Sequence, residues 1–241
     1  MDGYELSGRF SYITNALKYC GPDDGHKDFH KYIVSHDAVL KGGLRENIKK
    51  FEALYPYLKF IAEKTGKDYM DYDVVEAYWM GNELLDQFNC EDMKGLVRLL
   101  MKRGLPETLG KQLIDNMPTS AFPFHTFHVL YIGVGNVTGH VKSTVQNMDN
   151  CRISYGKISE IFGTQLIVDT DMLTTENDRV TLKRNETKTV VYIPELLQGI
   201  KINDYVALHW GFACKKLDER EIRNIEKYTT KAILSKNSVR R

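Results

Sequence analysis

The sequence predicts an α+β protein in which a helical N-terminal domain is followed by a small antiparallel β-barrel and a C-terminal helix. Apolar side chains recur at three- and four-residue intervals through the first 117 residues. From Cys151 onward, short runs rich in Val, Ile and Thr alternate with turn residues. The final stretch then returns to helical spacing behind a capping pair. With 241 residues the chain can bury one large core or two modest ones. The change of texture divides it into a helical domain at 1–117, a connector expected to hold a strand at 118–149, and the barrel with its helix at 150–241.

In the helical half, "LRENIKKFEALYPYLKFIAEKTG" places Ile48, Phe51, Leu54, Tyr55, Leu58, Ile61 and Ala62 on one face, with Gly66 as a stop. This predicts a single amphipathic helix. "DYDVVEAYWMGNELLDQF" predicts the next, with Asp73 as N-cap and Gly81 weakening its middle. "EDMKGLVRLLMKRGLPETLGKQLIDNM" predicts two more, broken around Gly104 and Pro106. Pro118 and Pro123 bracket the connector, and the Val, Ile and Gly content of "HVLYIGVGNVTGHV" predicts a strand with a turn or bulge.

Barrel strands are expected in "RISYGKISEIFGTQLIVDTDML", "RVTLKRNETKTVVYI" and "DYVALHW", with turns at Gly163 and "ENDR". Asp218 and Glu221 form a capping-box pattern for the last helix, whose Ile222, Ile225 and Ala232 face the barrel. The basic end "SKNSVRR" reads as a solvated tail.

Lys plus Arg number 33 and Asp plus Glu 32, so no global field draws the chain to nucleic acid or to anionic lipid. No segment reaches the roughly 18 apolar residues of a membrane helix, and "MDGYELSGRF" lacks a secretion signal. A cytoplasmic location is expected. The four cysteines, Cys20, Cys90, Cys151 and Cys214, form no CxxC pair, which argues against a disulfide framework or a structural zinc site.

In a strand running through "DYVALHWGFAC", Val206, Leu208, Trp210 and Phe212 share one bulky face, and Cys214 follows in the same register. Tyr205, Ala207, His209 and Gly211 share the lighter face. The segment "INDYVALHWGFACKKLDEREI" resembles the last strand and helix of the HypC (HupF-like) family, small chaperones in the maturation of nickel-iron hydrogenases. Asp204, Tyr205, Val206, His209, Gly211, Phe212 and Ala213 match the family pattern, and Asn203 stands in place of its usual Gly. "NCRISYGKI" resembles the family's N-terminal motif through Cys151, Gly156 and Ile158, with Tyr155 in place of its proline. Cys151 and His209 are 58 residues apart, close to the family separation.

This resemblance covers about residues 150–230 and implies an OB-like barrel whose Cys151 and His209 handle iron transiently or contact a partner. The implied partners are a HypD-like scaffold or the hydrogenase large-subunit precursor. The implied role is that of a non-catalytic accessory protein. In that family the cysteine lies beside the processed N-terminus, whereas Cys151 is internal. The N-terminal half is also similar to an uncharacterised prokaryotic family through "YCGP" and "VVEAYWMGN".

Other donors define weaker candidates. Cys20, His26 and His30 lie in "YCGPDDGHKDFHKY", where Gly21, Pro22 and Gly25 predict a turn. His125 and His128 have helical spacing in "HTFH", but the β-rich sequence after them argues for a strand. "GVGNVTG" lacks the spacing of a phosphate loop. The alternative to the accessory reading is an enzyme with a pocket between the helical domain and the barrel, using residues such as Cys20, Glu76 and His128.

Overall fold

In a computed structural model, which describes residues 1–239, the chain is an α+β protein. The helical half comprises α1 (Gly3–Ala16), α2 (Gly25–Ser35), α3 (Lys41–Lys50), α4 (Leu54–Thr65), α5 (Tyr72–Trp79), α6 (Cys90–Met101) and α7 (Glu107–Asp115). A short turn α8 (His125–Phe127), a π-helical turn His128–Gly133 and α9 (Val145–Cys151) lead into the strands. These are β1 (Ser154–Phe162), β2 (Gln165–Glu176), β3 (Arg179–Val191), β4 (Tyr205–His209) and β5 (Phe212–Lys216). They close in the order β1-β2-β3-β5-β4 into a barrel. The helix α10 (Glu219–Asn237) ends the described chain.

Local chemistry explains most helix ends. Gly66 closes α4 in the left-handed region, and Asn89 with Asp92 forms a capping box for α6. Asp218 and Glu221 do the same for α10. The span expected as one helix from Leu44 to Gly66 is two, because Phe51 is extended between α3 and α4. Pro56 falls in the first turn of α4, where its missing N–H is tolerated; within a continuous helix it would remove a bond. Asp71, not Asp73, is the N-cap of α5. Gly81 ends that helix instead of weakening it, since at φ +86° it turns its N–H back to the Glu76 carbonyl; an added Cβ there would also lie 2.3 Å from the Tyr228 ring.

The strand expected in the connector is absent among the described residues. His128–Gly133 is helical and buried, and Gly133, Gly135 and Gly139 turn the chain at positive φ. The β-branched residues there satisfy burial inside the helical half, so packing overrides strand propensity. The single strand expected through Cys214 is a hairpin. Trp210 (φ +51°) and Gly211 (φ +69°) form its turn, and Ala213 pairs with Leu208. The C-terminal tail begins later than the composition implies: α10 continues through Asn237 and Ser235 is buried. Arg240 and Arg241 lie outside the described residues.

Two apolar clusters hold the fold. The smaller fills the barrel with Ile158, Leu166, Val168, Val190, Val206 and Leu208. The larger is continuous from Leu6 and Phe10 through Val74–Trp79 and Phe122 to Ala207, Phe212, Ile225 and Ala232. β4 serves both, because alternate side chains face opposite sides: Val206 and Leu208 point into the barrel, while Ala207 and Phe212, just beyond the turn, pack with the helices. His209 therefore leaves the barrel interior toward the helical half. No helix among the described residues is long and apolar enough to cross a membrane.

Candidate metal centre

Three segments bring one donor each to a single point. His209 ends β4, and its position is set by the hairpin turn. The N–H of Trp210 donates to the carbonyl of Asn150 at 2.6 Å, tying that turn to the last residues of α9. His209 Nδ1 lies 2.8 Å from the carbonyl oxygen of Phe10 in α1. A carbonyl only accepts, so the ring proton sits on Nδ1 and Nε2 keeps its lone pair. His209 is 1% exposed, and Nε2 has no hydrogen-bond partner.

Cys151 is the last residue of α9, not part of the first strand as the motif resemblance implies. That helix end is fixed by Asp149, which accepts from Arg152 Nε at 3.1 Å and from the Leu173 N–H at 2.7 Å and pairs with Lys188. His125 opens α8. Its Nε2 donates to the Cys151 carbonyl at 2.9 Å, and its Nδ1 accepts from the Tyr78 hydroxyl at 3.0 Å. The Cys151 Sγ is 3.9 Å from His125 Nε2. Donor atoms of His125, Cys151 and His209 all lie within 4.8 Å of one another.

A cavity of about 80 Å³ adjoins this point, between the helical half and the barrel. Tyr19, Phe51, Leu54, Val137 and Trp210 are among its walls, and none of its lining residues is Asp, Glu, Lys or Arg. The Tyr19 and Trp210 rings meet at a 4.6 Å centroid distance. Burial in this uncharged setting disfavours every ionised form. It pushes His209 down to about 4 and His125 well below the ordinary histidine range, the latter with help from the neighbouring His209 and His128. Burial also pushes the Cys151 thiol up and the Cys20 thiol up to about 12. At neutral pH the cluster therefore holds two neutral imidazoles and a protonated thiol. That is a poor nucleophile, and a cation bound there would have to displace the thiol proton.

The remaining candidates separate. Cys20 lines the same cavity but stands outside the three-donor group. His26 and His30 lie on α2, which starts at Gly25, so the expected turn is a helix; both rings face Tyr12, and neither joins Cys20 in a donor group. The reason is directional: the Gly21–Asp24 bend turns Cys20 to the cavity and the helix turns the histidines away from it. His128 is buried against the Tyr57 hydroxyl, at 3.1 Å from Nδ1. Glu76 pairs with Arg220 and accepts from Asn82, so it does not converge with Cys20 or His128. The residues that sequence spacing does not connect to Cys151 and His209 are His125 and its partner Tyr78. "HTFH" flags the first only as a neighbour of His128.

Fold and site together define an α+β protein with a Cys/His₂ cluster at the seam between helices and barrel, its histidines buried and its cysteine partly so. Residues 1–241 match a family described as a family of unknown function, DUF6390, and the chain belongs to it. No curated protein and no solved structure gives a match.

Proposed function

We propose that the protein is a non-catalytic accessory protein of nickel-iron hydrogenase maturation, acting on a HypD-like scaffold or the large-subunit precursor through Cys151 and His209. One observation carries this reading. The two residues on which the motif resemblance turns, far apart in the chain, bring their donor atoms within 4.8 Å. The closed strand order supports an OB-like barrel, and a thiolate beside an imidazole suits a soft, low-spin iron cargo.

The enzyme reading has one point in its favour: the cavity falls between the two halves and includes Cys20 and His128. Against it, Glu76 is engaged by Arg220 and Asn82, and burial holds both thiols protonated, so neither the carboxylate nor a cysteine named in that reading is ready to act. The accessory reading is tested by co-expression with hydrogenase maturation proteins and affinity purification. Co-elution with the native chain that is lost in Cys151→Ala and His209→Ala is expected. Absence of co-elution, or co-elution indifferent to both substitutions, overturns the reading.

A further inference from the structure

We propose that His125, Cys151 and His209 form a three-donor site for a borderline-soft divalent transition ion, the class of Fe(II), Co(II) and Zn(II), with a fourth position open to the apolar cavity. This rests on the accessory reading only in placing metal chemistry at Cys151 and His209. His125 comes from the helical half and lies outside the segment that resembles the HypC family.

The distances fit a common ion. Donors bound tetrahedrally at zinc-like bond lengths stand roughly 3.3–3.8 Å apart, and the Cys151 Sγ to His125 Nε2 distance is 3.9 Å. The whole group spans at most 4.8 Å, so small side-chain adjustments close it. His209 is the best prepared member. Its Nδ1–H is held by the Phe10 carbonyl while the buried Nε2 has no partner, which is the arrangement that orients a ligating histidine.

His125 requires one change. Its Nε2 proton, now donated to the Cys151 carbonyl, moves to Nδ1, which gives up that hydrogen bond, and the Tyr78 hydroxyl rotates from donating to accepting. The tautomer shift releases nothing. Cys151 loses its thiol proton on forming the metal–sulfur bond, so one proton leaves per ion bound. The donor set contains no carboxylate and the cavity lining offers none, which excludes the oxygen-seeking ions Ca(II) and Mg(II). Three protein ligands leave a fourth position, as in zinc sites that exchange a ligand and unlike closed structural ones.

The test titrates the reduced full-length chain with Co(II) under anaerobic conditions. One equivalent should produce a sulfur-to-cobalt charge-transfer band with the intense visible bands of four-coordinate cobalt, release one proton, and be displaced by Zn(II) but not by Mg(II). Cys151→Ser should lose the charge-transfer band. His125→Gln and His209→Gln should each weaken binding at least ~10-fold, and Tyr78→Phe by roughly 10- to 100-fold with the band retained. Cys20→Ser and His128→Gln should leave the spectrum unchanged, and circular dichroism identifies any variant that has not folded. A native chain without the charge-transfer band overturns the site. So does a folded His125→Gln variant that binds like the native chain. Cobalt binding without co-elution would remove the hydrogenase reading and keep the site; co-elution without cobalt binding would do the reverse.

Discussion

His209 Nδ1 donates to the carbonyl of Phe10 across 2.8 Å, joining the last third of the chain to its first helix. The bond is buried, with Phe10 at 0% and His209 at 1% exposure. It orients the imidazole and also couples β4 to α1. His209→Ala should lower unfolding free energy by about 1–3 kcal/mol through the lost bond and the space left behind. Urea denaturation should show a lower midpoint at unchanged slope.

Acid should destabilise the protein well above the usual carboxylate range. Burial holds His128 down to about 4 against an ordinary value of 6.5, with the Tyr57 hydroxyl and ring packed on it. An unfolded histidine takes up a proton near 6.5 that the folded one refuses until about 4. The stabilisation is therefore complete above pH 6.5 and is lost as pH falls toward 4, at about 1.4 kcal/mol per pH unit for each such group. His125 and His209 are shifted in the same direction. Melting temperatures between pH 7 and pH 5 should fall less steeply in His128→Gln than in the native chain.

Two glycines should resist substitution for different reasons. Gly81→Ala combines positive φ with a Cβ 2.3 Å from the Tyr228 ring, and should cost at least ~2 kcal/mol. Gly156 has no such backbone demand, but its Cβ would lie 2.9 Å from both Cβ and Cγ2 of Val168 inside the barrel, and alanine at 168 would remove only the second contact. Gly156→Ala should cost about 1–3 kcal/mol. Val168→Ala in the same chain should recover part of this, whereas it should recover nothing in Gly81→Ala, as a double-mutant cycle in urea would report.

Asp149 is 4% exposed and faces Arg152, which is 3% exposed. Asp149→Ala leaves that guanidinium buried without its carboxylate and should destabilise by about 3–5 kcal/mol. Because Asp149 also holds the Leu173 N–H and Lys188, the end of α9 should loosen. Hydrogen exchange at Asn150–Ile153 should rise more than the global loss of stability explains.

Trp210 occupies the left-handed region, where Asn is at ease and a bulky ring is not. Its contact with Tyr19 compensates. Trp210→Asn should change stability by no more than about 1 kcal/mol, since turn strain and stacking are removed together. It should also raise the rate at which a thiol reagent labels Cys151, measured in a chain whose other cysteines are serine.

Features set by neighbouring residues were legible in the sequence: the Asp218–Glu221 cap, the Gly66 stop, the break at Gly104 and Pro106, and the turns at Gly163 and Asn177–Asp178. Features set by distant contacts were not. Trp-Gly is not a usual hairpin dipeptide, and Trp210 turns because Tyr19 and the Asn150 carbonyl hold it. "HVLYIGVG" has strand composition but sits among Phe122, Leu113 and Met148, where helix suits the surroundings. The proximity of Cys151 and His209 followed from a motif, whereas His125 joins them only because α8 packs between α5 and α10. No spacing rule relates positions brought together by three separate segments.

The seam of apolar residues from Phe10 to Phe212 means that the barrel has no finished outer wall on that side. Cut away at residue 150, it would present Ala207, Phe212 and Cys214 as a raw adhesive surface instead of behaving as a portable module. Removal of the first 150 residues would also take away Phe10, which holds His209, and His125, which holds the Cys151 carbonyl, so the cluster depends on the two halves staying joined.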